Sequence, residues 1–115
     1  QPPTKNAAFF MVLTREGKQT MEYTFNTQNW EGETATIKVK DNKFTFQESQ
    51  FELKHYTYED SLEGFEILVD QEKLWNISRL KKYETNFSYE DEFGDFARSH
   101  SNPYILAAIL AANLL

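Results

Sequence analysis

The densest group of side chains able to do chemistry is Glu90-Asp91-Glu92 with Asp95. On a helix, Asp91 and Asp95 would stand four apart and project together, which could hold a hard cation through oxygens. The run lacks the alternating ligands and glycine of a calcium-binding loop. Its plainer role is the N-terminus of a helix, where negative charge suits the dipole. Two histidines are present, His55 and His100. His55 falls beside Phe51 and Leu53 in an alternating stretch and reads as a hydrogen-bonded structural residue. His100, between Ser99 and Ser101, reads as the close of a helix, where a positive ring would interact well with the dipole.

A Ser-His-acid triad can be assembled only on paper, because no serine sits in a Gly-x-Ser-x-Gly setting. The glycines at 17, 32, 64 and 94 are isolated, so no phosphate-cradling loop is present. With no cysteine, disulfides, thiolate ligands and thiol nucleophiles are removed together. These features point away from an enzyme, and toward no metal and no cofactor.

Binding is better provided for. Trp30, Tyr56 and Tyr58 are rings of the kind that dominate interface energies. Glu63, Glu66 and Asp70 offer an acidic face to a basic protein partner. The formal charge of −6 lies in the second part of the chain. Residues 1–43 carry six basic and five acidic side chains, and residues 44–115 carry six and thirteen. Duplex nucleic acid is disfavoured, since phosphate binding needs clustered Lys and Arg. Lys38, Lys40 and Lys43 form the one local basic feature. Beside Phe44 and Phe46 they could suit single-stranded nucleic acid. Alternation turns the two rings inward, however, and leaves the lysines as edge-protecting residues.

The elements that position these residues follow from periodicity. Residues 1–6 read as an extended N-terminal arm, and 7–115 as one α+β domain. A continuous apolar run from Ala7 to Thr14 suits a strand covered on both faces. After a turn at 15–18, Met21, Tyr23 and Phe25 alternate with polar residues, the mark of a half-buried strand. Residues 26–32 form a loop around Trp30. Ala35, Ile37 and Val39 point inward, Asp41-Asn42 turns the chain, and Phe44 and Phe46 return on the same face. Strands at 50–58, which could face either way, and at 65–70 follow, then 74–80, which fits a strand or two helical turns; polar turns at 59–64 and 71–72 join them.

From residue 80 the period changes. Ser88 with Asp91 resembles a capping box, and Tyr89, Phe93, Phe96 and Ala97 fall on one face of a helix ending near His100. A last helix starts at Ser101-Asn102-Pro103, where Asn102 or Ser101 can supply the cap and Pro103 a favoured first residue. It is apolar all round: Ile105, Leu106, Ile109, Leu110 and Leu114 on one side, Ala107, Ala108, Ala111 and Ala112 on the other. It is too short to span a bilayer, which takes about 20 residues. A membrane role would need the chain to continue past Leu115.

The sequence therefore predicts an antiparallel meander of six to seven strands, as a curled sheet or half-open barrel, followed by two C-terminal helices with the last one buried. The function it suggests is a small acidic, non-enzymatic protein-interaction module. The alanine ridges of the last helix offer a route to a homo-oligomer. The alternative is a small apolar-ligand carrier, if the aromatic strand faces enclose a cavity. Asn76-Ile77-Ser78 and Asn86-Phe87-Ser88 fit the glycosylation pattern, whereas the lack of cysteine leans toward the cytoplasm.

Overall fold

A computed structural model describes residues 8–13, 19–26 and 34–115, with side chains described at 21–26 and 34–115. The arm at 1–6, the turn at 15–18 and the loop carrying Trp30 lie outside the described residues, as do the side chains of the first strand.

Among the described residues, nine strands run in chain order through one antiparallel sheet: β1 (Ala8–Leu13), β2 (Gln19–Asn26), β3 (Thr34–Lys40), β4 (Lys43–Phe46), β5 (Ser49–Tyr58), β6 (Leu62–Val69), β7 (Glu72–Leu80), β8 (Phe87–Glu90) and β9 (Ala97–His100). One helix, α1 (Pro103–Leu114), closes the chain. Strands joined by short connections pair with their sequence neighbours, which gives a meander. Three turns are built on pairs of residues with positive φ: Asp41-Asn42 at 54° and 59°, Gln47-Glu48 at 53° and 68°, and Asp70-Gln71 at 50° and 72°. Two consecutive left-handed residues twist a hairpin in the same sense as its strands, which keeps the arms together.

Alternation assigns the two faces as the spacing predicts. Tyr23 and Phe25, Ile37 and Val39, Phe44, Phe51 and Leu53, and Phe65, Ile67 and Val69 are all buried on one face. The sheet curls this face around α1. Tyr104, in the first turn of the helix, stacks on Tyr23 of β2 at 5.9 Å between ring centroids. The same ring meets Phe44 of β4 and Phe65 of β6 at 6.3 Å each. One side chain touching three strands so far apart in the sheet order requires a concave surface. Ile105 through Ala111 are buried without a break, so the helix is covered on both its sides, as its all-round apolar character demands. Its start is capped as predicted: the Asn102 side-chain oxygen accepts the N–H groups of Tyr104 at 2.9 Å and Ile105 at 3.3 Å.

The predicted helix ending near His100 is absent, and its place is taken by the β8–β9 hairpin; this accounts for nine strands and one helix where the sequence predicts six to seven strands and two helices. Phe87 and Tyr89 alternate inward with Ser88 and Glu90 facing out, and Tyr89 meets Phe96 of the returning chain at 6.2 Å. Asp91 does not close a capping box. Its backbone N–H donates to Phe96 O, its carbonyl accepts from Gly94, and its carboxylate accepts the Asp95 N–H. Gly94 adopts φ 75°. That left-handed conformation is open to glycine at little cost and ends any helical reading.

Candidate functional site

The acidic cluster is thereby dispersed. Asp91 spends its carboxylate within its own turn, and among the described residues no group of three or more acidic or histidine side chains gathers to hold a metal ion. His100, placed in β9, has no helix end to cap. Its Nδ1 accepts the Asn102 N–H at 2.9 Å, just ahead of α1.

His55 takes part in a different cluster at the rim of the concave face. Registers His55↔Phe65 and Glu63↔Arg79 align β5, β6 and β7 so that His55, Glu63 and Arg79 share that face. His55 Nε2 lies 2.8 Å from Glu63 Oε2. Arg79 donates from Nε and Nη2 to Glu63 Oε1 at 3.1 and 2.9 Å, and from Nη1 to Thr85 O at 2.8 Å. Its guanidinium lies 4.5 Å over the Phe87 ring, and His55 sits 5.0 Å from Phe65. Burial acts to raise the Glu63 pKa, but the hydrogen bonds and charge supplied by His55 and Arg79 outweigh it and hold it below the ordinary glutamate range. The cluster is mutually satisfied: Arg79 has its fork and its remaining arm engaged, and no nucleophile stands against His55 among the described hydrogen bonds. Its geometry fits a latch between three strands.

Glu63, Glu66 and Asp70 are not brought together. Glu63 faces inward with Phe65, whereas Glu66 lies on the outer face, paired with Lys73 Nζ at 3.1 Å. Asp70 sits in a turn, where its Oδ1 accepts the Gln50 N–H at 3.0 Å. Alternation alone separates residues 63 and 66. Tyr56 is on the outer face but half-buried, its hydroxyl donating to Asn76 Oδ1 at 2.8 Å. It lies across Gly64, where an added Cβ would come within 2.5 Å of the ring and 2.7 Å of the Ile77 carbonyl. Asn76 and Asn86, of the two glycosylation triplets, are both exposed. Ala107, Ala108 and Ala111 are fully buried in the core, and Ala112 is partly exposed.

Tyr58 stands at the end of β5 and is 65% exposed. The ladders place it in a row with Leu62 and Leu80, through Tyr58↔Leu62 and Leu62↔Leu80. Leu80 is also exposed, and in the turn that follows β7 Tyr83 is 85% exposed. That turn is pinned: Tyr83 N–H donates to Leu80 O, and Leu80 N–H to Glu84 Oε1. It is tied to the β5–β6 turn by Lys81 N–H on Ser61 O at 2.8 Å. Between the two turns lies a groove of about 340 Å³, lined by Glu59, Asp60, Ser61, Leu80, Lys82 and Tyr83.

No protein-family model, curated protein or solved structure matches this chain. Tyr58 was visible in the sequence. Leu80 and Tyr83 were not singled out, because their adjacency to Tyr58 comes from the strand register. The one local signal was Leu80-Lys81-Lys82-Tyr83, an apolar residue and a ring in a charged turn.

Proposed function

We propose that the domain is a non-enzymatic protein-interaction module whose contact surface is the end of the outer face formed by Tyr58, Leu62, Leu80 and Tyr83. The observation that carries this reading is the exposure of Tyr58, Leu80 and Tyr83 at one end of the sheet on hydrogen-bonded backbone, with Leu80 and Tyr83 lining one groove. Aromatic anchors on a preorganised frame bind with little ordering cost, and such residues dominate interface energies. Glu59, Asp60 and Lys82 at the rim supply both signs of charge, which suits a protein partner better than a polyanion. A concave face filled by α1 supports this role over that of an apolar-ligand carrier.

The test is quantitative mass spectrometry of proteins captured by the wild type and by a Leu80→Ser/Tyr83→Ser double variant, from the cells that make the protein. The proposal expects a partner recovered with the first and lost with the second, with both chains equally folded by circular dichroism. Identical capture profiles would contradict it.

A further inference from the structure

Two neighbouring strand pairs, β3/β4 and β7/β8, are each laddered at a single position, and the first of these opens into a seam. β3 is laddered to β2 along its whole length, from Thr20↔Lys40 to Asn26↔Thr34. Across its other edge it is joined to β4 at a single pair, Lys40↔Lys43, next to the Asp41-Asn42 turn. In a two-residue hairpin the pair flanking the turn exchanges backbone hydrogen bonds, and along a strand the groups of alternate residues point to alternate edges. The N–H and C=O groups of Lys38 and Thr36 therefore face the seam from β3, and those of Thr45 face it from β4. No ladder pairing joins them.

A cleft of about 700 Å³ lies along this seam, lined by Thr36, Lys38, Lys40, Lys43, Thr45 and Gln50 together with Asp41 and the buried Phe44. Three lysines thus line a cleft at strand edges that carry no further ladder among the described residues, in a chain of net charge −6. The ladders bring Glu22 opposite Lys38 and Glu52 opposite Lys43, yet among the described residues the three lysines form no ion pair.

The geometry points to the β3/β4 seam as a docking site for an extended acidic peptide segment of a partner protein, which adds a strand along Thr36 and Lys38 and sets its carboxylates against Lys38, Lys40 and Lys43. Strand addition draws affinity from main-chain hydrogen bonds, and alternate side chains supply selectivity. The period-2 placement of Lys38 and Lys40 on one face matches acidic residues spaced two apart on the incoming strand. Single-stranded nucleic acid shares the charge but not the hydrogen-bonding edge. This inference uses a surface separate from the Tyr58–Tyr83 row, so either can fail without the other.

The probe is a synthetic ten-residue peptide with Glu at every second position, labelled for fluorescence anisotropy. Its controls are the Gln-for-Glu peptide, the Glu peptide N-methylated at alternate amides, and an oligothymidylate of equal charge. The acidic peptide is expected to bind at least about tenfold more tightly than each control. Amide exchange at Thr36, Lys38 and Thr45 should slow in the complex. A Lys38→Gln/Lys40→Gln/Lys43→Gln variant should lose about tenfold in affinity while keeping its melting temperature, since all three side chains are exposed. Absence of binding, equal binding of the N-methylated peptide, or preference for the oligothymidylate would each overturn the proposal.

Discussion

The two faces of this sheet are treated in opposite ways. The concave face is closed: Phe44 lies flat against Phe51 at 4.9 Å and 2°, and Ile37, Leu53, Ile67, Ile77, Leu106 and Leu110 expose 1% or less of their surface. Where a polar group enters this face, at Glu63, it meets two partners at once. The outer face is unfinished. It carries exposed rings at one end and, elsewhere, three lysines along a strand edge laddered at a single pair among the described residues. Stability is thus concentrated on the inside of the curl, whereas the proposed recognition surfaces lie on the outside, so the two should respond to different mutations.

The largest effect should come from the helix. Leu110→Ala removes a fully buried side chain and should cost about 2–5 kcal/mol, measurable by urea unfolding; a change under about 1 kcal/mol would show that the helix is not core. Next is Gly64→Ala, whose new methyl group would strike both the Tyr56 ring and the Ile77 carbonyl. A loss of about 1–3 kcal/mol is expected. Adding Tyr56→Ala should recover only part of it, because the ring leaves but the carbonyl stays. Full recovery would mean the backbone contact is soft.

Asn102→Ala should cost about 1 kcal/mol through the lost cap, and Asn102→Asp should cost less. Glu63→Gln tests the rim latch through pH. A carboxylate whose folded pKa is depressed contributes stability that is present above its unfolded value, about 4.3, and is lost as pH falls through the folded value. The variant should therefore be less stable near neutrality, by about 1 kcal/mol or less given its solvent-screened partners, and should match the wild type once the pH falls below the depressed folded value. A deficit that persists unchanged in acid would contradict the ion-pair account. Smallest of all, Tyr83→Ser should shift stability by less than about 0.5 kcal/mol.

Much of this division was legible in the sequence. Strict alternation at Met21-Tyr23-Phe25 and Ile37-Val39 announces half-buried strands, and Asn102-Pro103 announces the helix. The segment at 88–100 misled because Tyr89, Phe93 and Phe96 are spaced by four and three, which mimics one helical face. Phe93 is 78% exposed at the tip of a turn; the informative pattern was the period of two in Phe87-Ser88-Tyr89-Glu90, with Gly94 as the breaker. The candidate surface was harder to read. Tyr58, Leu62, Leu80 and Tyr83 meet through registers set by turn lengths, and the seam exists because β4 leaves β3 after one pair. Neither is written in local composition.

The central claim, that α1 completes the chain's own core and leaves binding to the outer face, is tested most directly by light scattering on the intact chain and on one ending at Asn102. The account predicts a monomeric intact chain and a shortened one that has lost its fold. An intact oligomer whose shortened form is a folded monomer would contradict it, and would make the helix itself the interface.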